Sequence, residues 1–327
     1  MKISIKNIIV PSIPITILMI GSCFGLWFLG YFRDFNTHLL NINISDFKLI
    51  DFKFNTLSTN IINIVLVIIN AILLIQLNNI YTLIRTRTFL TILIFLFLMC
   101  TWSETHLLIG SHLATTFFTF SLFYFFRMYR NTQASEQSFM GSFFIGLCSL
   151  IFNPLLVLLP ICWIGFIMLQ SFSLRTFLAS LFGFIAPWIL YFATKMYIHP
   201  EHLLALNDLN FHITIKPVIP SLPFLVYIIA LCIILVICLF GMYSKFQSDA
   251  IHTRSKLNFL FLFLLAFLLI AITFNIPFIA YLPFIALLFS VLASYTFSLN
   301  QNNFYSIIFI IFFVLNTAIF IYKLFII

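Results

Sequence analysis

Residues 89–130 have the sequence FLTILIFLFLMCTWSETHLLIGSHLATTFFTFSLFYFFRMYR, in which one short polar turn separates two long apolar runs. The first run ends near Ser103 and the second begins near Leu107. A transmembrane helix needs about 20 predominantly apolar residues. The stretch therefore predicts a tight hairpin of two membrane helices, and it sets the pattern for the rest of the chain.

The whole chain has the composition of a membrane protein. Of its 327 residues, 63% are apolar and only 7% are charged. Such a chain would aggregate in water, and the apolar residues suffice for about ten spans. No long polar stretch indicates a soluble domain, so we predict a single integral membrane domain over residues 1–327. The richness in Phe, Ile and Asn is typical of an AT-rich bacterial genome.

Charge and cysteine content exclude several classes of protein. The 16 Lys and Arg residues are scattered among helix ends without forming a patch, so the net charge of +8 does not indicate nucleic-acid binding. The six cysteines lie inside apolar runs without CxxC spacing, which favours packing over a disulfide framework or a metal site. The P-loop, GxGxxG, HExxH and GxSxG patterns are absent, so no nucleotide-driven chemistry is indicated, and the sequence assigns no particular cofactor.

Charges, prolines and asparagines divide the chain into eleven apolar segments, which predict an all-α bundle of nine to eleven spans. The segments are 8–32, 59–77, 89–103, 107–126, 139–152, 155–169, 176–197, 222–243, 257–274, 277–295 and 304–325. Asn153-Pro154 separates the fifth segment from the sixth, and both are short. These two segments form two tilted spans, a re-entrant hairpin or one broken span. The first segment is too long for a signal peptide and predicts an uncleaved span.

The distribution of basic residues predicts a cytoplasmic N-terminus. If all segments cross, ten of the 16 Lys and Arg residues lie inside and six outside, as the positive-inside rule favours. Six of the eight acidic residues and most histidines then lie outside. Acidic residues contribute little to orientation, so this asymmetry places any chemistry on the extracytoplasmic face.

The turn Trp102-Ser103-Glu104-Thr105-His106 contains the strongest candidate site. Glu104 and His106 are candidate catalytic residues, with the carboxylate as general base or cation ligand and a histidine as its partner. His112, inside the next span, is a candidate substrate-binding residue. The alternative is an ordinary polar turn anchored by Trp102 at the membrane interface.

Two other outer loops contribute candidates. The loop 33–58 mixes charged and aromatic residues, as a segment lying in the interface does, and Asp34 or Asp46 is its candidate catalytic carboxylate. The loop 198–221 contributes His199, His202 and Lys216 as candidate substrate-binding residues. His199 and His202 are spaced for a metal, but no third ligand is fixed, so a metal stays undetermined. In both loops the alternative is a solvated connector.

The inner arginines and the helix breaks give weaker signals. Arginines near inner span ends suit lipid headgroups or a phosphate, although positive-inside anchoring explains them equally. The breaks at Asn153-Pro154 and Asn275-Ile276-Pro277 suit a transporter, but their contexts differ and no internal repeat is visible.

Residues 78–197 resemble a family of uncharacterised multi-pass bacterial inner-membrane proteins. The resemblance is carried by the following motifs: Asn78-Asn79, Arg85-Thr86-Arg87, Glu104-Thr105-His106-Leu107-Leu108, Phe125-Phe126-Arg127-Met128-Tyr129-Arg130, Gly146-Leu147-Cys148-Ser149-Leu150, Asn153-Pro154, Phe172-Ser173-Leu174-Arg175-Thr176-Phe177, Gly183 and Ala186-Pro187-Trp188. It implies a fold and a location in the bacterial inner membrane, and no catalytic residues.

The chain is also similar to the GT-C superfamily of polytopic glycosyltransferases, which use lipid-phosphate sugars. The shared features are a cytoplasmic N-terminus, about eleven spans and an acidic first outer loop, in which an Asp of that superfamily acts as base. Asp34 holds the corresponding place, although the large soluble C-terminal domain of many members is missing. The resemblance implies an envelope-assembly transferase with a lipid-linked sugar as partner; a membrane subunit of an envelope or secretion complex and a lipid or small-molecule transporter are the alternatives.

Overall fold

The computed structural model describes residues 13–34, 56–85, 88–102, 105–106, 108–198, 222–246, 249–274, 278–299 and 303–326. These residues form eleven α-helices and two short 3-10 helices, with no strand in the described ranges. The α-helices are α1 (Ile13–Asp34), α2 (Thr56–Tyr81), α3 (Leu90–Thr101), α4 (Ile109–Arg127), α5 (Ser135–Ile151), α6 (Leu158–Met168), α7 (Leu174–Ile198), α8 (Leu222–Phe246), α9 (Ile251–Thr273), α10 (Leu282–Leu299) and α11 (Asn303–Ile326). The 3-10 helices are Asn153–Val157 and Phe278–Tyr281.

The prediction of an all-helical chain is confirmed, and each α-helix coincides with one of the eleven apolar segments. The ninth helix begins six residues earlier than predicted, at Ile251 instead of 257, and the sixth and tenth segments each start with a 3-10 turn before the α-helix. At Asn153–Val157 the cause is Pro154, which sits in the first turn and lacks a backbone N–H.

The helices have the lengths and surfaces of a multi-pass membrane protein. Among the described residues, seven helices are long and apolar enough to cross a bilayer: α2, α4, α7, α8, α9, α10 with its preceding 3-10 turn, and α11. Their outer faces expose large apolar side chains such as Phe182 on α7, Phe240 on α8 and Leu269 on α9. A contiguous apolar surface of this extent is stable only against lipid.

Two helices form the centre of the bundle. All twelve residues of α3 are buried, and so is every residue of α10 from Leu282 to Ser298. α10 packs against α3, α4, α8, α9 and α11, while α3 also contacts α1 and α2. Helices α5, α6 and α7 lie further out, where α5 packs against α4 and α7, and α6 packs against α9.

Small hydroxylated residues allow the close packing of α10. The Oγ atoms of Ser290 and Ser294 donate to backbone carbonyls of their own helix at 2.8 and 2.9 Å, so neither hydroxyl is unsatisfied. Two further bonds join α10 to its neighbours: Thr91 Oγ1 lies 2.8 Å from Ser294 Oγ, and Thr296 Oγ1 donates to Cys238 O at 2.8 Å. Such contacts are typical of helix interfaces in lipid.

Helices α5 and α7 approach so closely that backbone touches backbone. A Cβ atom placed on Gly183 of α7 would lie 2.3 Å from the carbonyl oxygen of Phe139 on α5. The reverse contact is similar, since a Cβ on Gly146 would lie 2.6 Å from the carbonyl oxygen of Phe184. Ser138 Oγ adds a 2.7 Å hydrogen bond to Thr176 O across the same interface. Glycine at both positions is therefore a requirement of the packing.

Helices α5 and α6 form a hairpin that reverses at Asn153-Pro154. The backbone N–H of Arg130, before α5, donates to the carbonyl of Leu169, just after α6, at 3.0 Å. Ser173 Oγ donates to Thr132 O at 2.7 Å beside this bond. The two segments thus begin and end at the same end of the bundle, which excludes one continuous broken span.

The bundle has two polar ends, which we call the His106 end and the Asp249 end. The His106 end comprises the turn between α3 and α4 and the side chains packed against it. The Asp249 end comprises the C-terminal ends of α2 and α4 and the N-terminal end of α9. The predicted orientation makes the first extracytoplasmic and the second cytoplasmic.

Asp249 is the centre of an ion-pair cluster that joins three helices. Its Oδ1 lies 2.8 Å from Nη2 of Arg85, and its Oδ2 accepts a hydrogen bond from Tyr295 on α10. Arg254 Nε donates to the Asp249 backbone carbonyl at 2.8 Å. The carboxylate is buried and Arg85 is half exposed, so the pair links the end of α2 to the start of α9 beneath the surface.

Candidate functional site

The turn between α3 and α4 is held by its own backbone. Trp102 follows the last residue of α3, and its carbonyl accepts hydrogen bonds from the N–H and Oγ1 of Thr105 at 3.0 and 2.8 Å. The N–H of Leu108 then donates to Thr105 O at 3.0 Å, one residue before α4 begins. Because both helices are anchored in the core, this turn sets the positions of the side chains around it.

His106 points into the protein. Its Nε2 lies 3.0 Å from the carbonyl oxygen of Met99, which can only accept, so Nε2 carries the proton. The ring stacks on Trp27 of α1, with centroids 3.6 Å apart, and Asn63 Nδ2 of α2 donates to the His106 carbonyl at 2.5 Å. Burial lowers the pKa of His106 to about 3, so the imidazole is neutral at physiological pH.

His112 is held in the same tautomer one turn into α4. It is fully buried, and its Nε2 lies 3.0 Å from the carbonyl oxygen of Thr105. The Nδ1 atoms of both histidines are therefore lone-pair acceptors, and neither has a hydrogen-bond partner among the described residues. A neutral imidazole fixed in this way can accept a hydrogen bond or bind a cation.

Other buried polar atoms near His106 also lack partners within the described part of the chain. They include the indole Nε1 of Trp27, which stacks on His106, and the Oδ1 of Asn63, whose Nδ2 binds the His106 carbonyl. A buried polar atom without a partner costs about 1–3 kcal/mol. The cluster therefore has capacity for polar groups of a ligand or of neighbouring residues. No group of three His, Cys, Asp or Glu side chains suited to a metal occurs in the described ranges.

Most of the predicted site residues fall outside what the structure describes. His106 and His112 are described. His106 bonds the carbonyl of Met99 near the end of α3, and His112 bonds the carbonyl of Thr105 in the turn. Asp34 is the last residue of α1, but its side chain is not among those described. The remaining predicted residues outside the described ranges are Glu104, His199, His202 and Lys216. Their roles stay predictions.

The structure adds a polar chain that the sequence reasoning missed. Trp102 Nε1 donates to Tyr227 Oη at 2.5 Å, and Tyr227 Oη donates to Asn316 Oδ1 at 2.6 Å. Asn316 Nδ2 closes the chain on the carbonyl of Phe312 at 2.8 Å. The sequence feature that could have indicated this chain is Asn316, an amide inside an otherwise apolar span. Polar side chains at that depth in a membrane face other protein groups. The chain ties α8 and α11 to the candidate turn.

Replacing Tyr227 with phenylalanine is expected to destabilise the protein by about 1–3 kcal/mol, because the buried Trp102 and Asn316 groups lose their partner. Thermal unfolding of the purified protein in detergent measures the loss. Tyr197→Phe is the control, since Tyr197 is 90% exposed. Equal stability of the two variants would show that the hydrogen bonds of Tyr227 to Trp102 and Asn316 contribute nothing to the stability of the protein.

An apolar cleft adjoins this chain. It is a small cleft of about 50 Å³ that lies between α3, α8, α9 and α10. Its lining includes Leu98, Trp102, Tyr227, Leu231, Ile285 and Phe289. Trp102 and Tyr227 use their polar atoms to bond each other, so the surface they present to the cleft is aromatic. The cleft thus lies directly beside the residue that opens the candidate turn.

No protein-family model matches the sequence, and no match was found among curated proteins or solved structures. A functional argument for this chain therefore starts from the turn, the histidines and the cleft.

Proposed function

We propose that this protein is a transferase that uses a lipid-linked sugar in cell-envelope assembly. It lies in the inner membrane of a bacterium, with its N-terminus in the cytoplasm and all eleven helices crossing. The observation that supports this function is the juxtaposition of the apolar cleft and the turn that contains Glu104 and His106, with Trp102 belonging to both.

The cleft suits the hydrocarbon part of such a substrate. Ligand sites are concave and mostly apolar, with a few polar groups at one end. Apart from Cys232 the described lining of this cleft is aliphatic and aromatic, and two of its residues, Trp102 and Tyr227, belong to the hydrogen-bonded Trp102–Tyr227–Asn316 chain. A segment of an isoprenoid chain entering from the lipid would pack against this apolar lining, with its phosphate at the His106 end.

The predicted residues at that end would perform the transfer. Asp34 or Glu104 acts as general base and takes the proton of the acceptor hydroxyl, with His106 as its partner. The oxygen then attacks the anomeric carbon of the sugar, the bond from that carbon to the phosphate oxygen breaks, and the polyprenyl phosphate leaves. His112, His199, His202 and Lys216 bind the donor on the same face.

Binding of a polyprenyl phosphate in the cleft can be tested by photocrosslinking. The probe is a farnesyl phosphate that carries a benzophenone, and the purified protein is held in nanodiscs. We expect labelled peptides from α8 and α10, and competition by undecaprenyl phosphate. Cys232 lines the cleft and is exposed, so Cys232→Trp should fill it and reduce labelling about tenfold. Ile233→Trp is the matched control, because Ile233 is the next residue along α8 and lies outside the lining.

Two results would contradict the proposal. Labelling spread evenly over the lipid-facing helices, or equal labelling of both variants, would remove the cleft as a specific site. Recovery of the protein in a fixed complex, with no labelling of the cleft, would favour a non-enzymatic subunit of an envelope or secretion complex. Movement of labelled lipid across the bilayer without transfer would favour a transporter.

A further inference from the structure

The Asp249 end holds a lysine whose side chain is largely buried and whose ammonium group lies beside two aromatic rings. Lys256, in the second turn of α9, is 7% exposed. Its Nζ lies 4.7 Å from the centroid of the Tyr81 ring on α2 and 5.9 Å from that of Tyr129, which follows α4. Cation–π contact stabilises this charge in part, but it occupies none of the three N–H donors with an acceptor atom.

Among the described residues, no carboxylate pairs with Lys256. No described residue accepts a hydrogen bond or an ion pair from its ammonium. Asp249, the nearest acid in sequence, has both carboxylate oxygens engaged, by Arg85 and by Tyr295. The other acidic side chain described is Glu136, which is exposed on α5. A largely buried lysine without an anion carries part of the desolvation cost of a cation, and a bound anion would offset that cost.

Two arginines and a histidine also lie near these two rings. The guanidinium carbon of Arg130 lies 5.5 Å from the Tyr129 centroid, and the His252 ring lies 6.5 Å from it. Arg127 directly follows Phe126, whose ring meets Tyr81 edge-on at 5.3 Å. Both arginines are exposed, so they form the rim of a site whose floor is Lys256.

A hydrogen-bond donor completes the site. The Tyr129 hydroxyl is buried and has no hydrogen-bond partner among the described residues. Tyr81, by contrast, donates its hydroxyl to the Phe123 carbonyl at 2.6 Å, so its ring is fixed as one wall. The site therefore consists of the Tyr81 ring as one wall, the Tyr129 hydroxyl, the Lys256 ammonium, and the guanidinium groups of Arg127 and Arg130 at the rim.

We infer that this cluster binds a phosphate group at the Asp249 end, with Lys256 and the Tyr129 hydroxyl as its inner contacts and Arg127 and Arg130 at its rim. Phosphate offers several acceptor oxygens and negative charge, and arginine and lysine are its preferred protein partners. The group belongs to an anionic lipid headgroup of the adjacent leaflet or to free phosphate. The site is independent of the transferase proposal, which concerns the opposite end.

The test is a titration of the purified full-length protein in detergent, followed by native mass spectrometry. Phosphatidylglycerol, phosphatidylcholine and inorganic phosphate are the three probes. We expect one tightly bound phosphatidylglycerol, and an increase in its Kd of about tenfold or more in Lys256→Met and in Arg127→Gln, since a charged hydrogen bond is lost in each. Arg175→Gln is the matched control, because Arg175 is an exposed arginine at the same end, in the first turn of α7.

The probes separate the two sources of phosphate. Displacement of the lipid by millimolar inorganic phosphate, in the wild-type protein alone, assigns the site to free phosphate. Binding that resists inorganic phosphate assigns it to the headgroup. Either result supports the site when both variants weaken it.

Two outcomes would overturn the inference. One is an unchanged Kd in both Lys256→Met and Arg127→Gln. The other is a loss in Arg175→Gln equal to that in Arg127→Gln, which would show unspecific attraction to basic surface. If Lys256→Met fails to fold, Arg127→Gln and Arg130→Gln carry the test, because both side chains are exposed.

Discussion

Exchanging Asp34 for asparagine and Glu104 for glutamine in one chain is expected to lower sugar transfer by a factor of about 100 to 10,000, the usual contribution of a general base. Each amide keeps the size of the carboxylate but cannot take the proton of the acceptor hydroxyl. Transfer from a polyprenyl-phosphate sugar to acceptor, measured in nanodiscs, reports the loss. The two single variants then assign the base to one residue.

Glu136→Gln is the control for this double variant. Glu136 is an exposed glutamate in the first turn of α5, at the opposite end from the turn that contains His106. Its replacement should leave transfer unchanged, and all variants should reach the membrane at normal levels. A double variant that retains full function would contradict the transferase and favour a scaffold, which tolerates both changes.

Gly183→Ala is expected to destabilise the protein by about 2 kcal/mol or more, although alanine is the better helix former. The added methyl would lie 2.3 Å from the Phe139 carbonyl oxygen, so α5 and α7 must separate. Separation also stretches the hydrogen bond from Trp188 Nε1 to Ser149 Oγ, which is 2.9 Å long. Thermal unfolding in detergent measures the effect.

Gly25→Ala makes the same chemical change where space is open. No described atom lies within 4 Å of a Cβ placed on Gly25, which is exposed on α1. Alanine there should leave stability unchanged or raise it by up to about 1 kcal/mol through helix propensity. The two substitutions thus have opposite expected signs. If Gly183→Ala were as stable as Gly25→Ala, helices α5 and α7 could separate enough to accommodate the methyl group without loss of stability.

The helices could be predicted from the sequence because charges, Asn and Pro mark their ends. Thus Asn153-Pro154 marks the point at which α5 and α6 reverse, and Trp102-Ser103-Glu104 the point at which α3 ends. The candidate turn was predicted for the same reason, since it is the polar interruption between two long apolar runs. Its carboxylate and the outer loops stay predictions, because Glu104, His199, His202 and Lys216 are outside the described residues.

Packing could not be predicted, because lipid and protein interior favour the same side chains. α3 is apolar on every side and so is α8, yet α3 is wholly buried while α8 exposes Val226, Ile233 and Phe240. An apolar periodicity that separates core from solvent in water has no counterpart in lipid. The cleft beside Trp102 and the central position of α10 both follow from that packing. Neither could therefore be predicted from the sequence.

The Asp249 cluster was missed for a different reason. Arg85 was explained by the positive-inside rule, and Asp249 was one charge in a short inner loop. Their 2.8 Å contact joins residues far apart in sequence and depends on the meeting of α2 and α9. Lys256 was likewise placed at the inner boundary, whereas the structure buries it between Tyr81 and Tyr129.

The position of α10 has implications for biosynthesis. This helix is enclosed by five others, and all but α11 precede it in the chain. During translation those earlier helices enter the bilayer while the slot at their centre is vacant, so lipid tails or a chaperone must occupy it. Assembly is therefore completed late, when the tenth helix displaces that temporary occupant, and a polypeptide stalled before residue 278 would expose the unfilled slot to quality-control proteases.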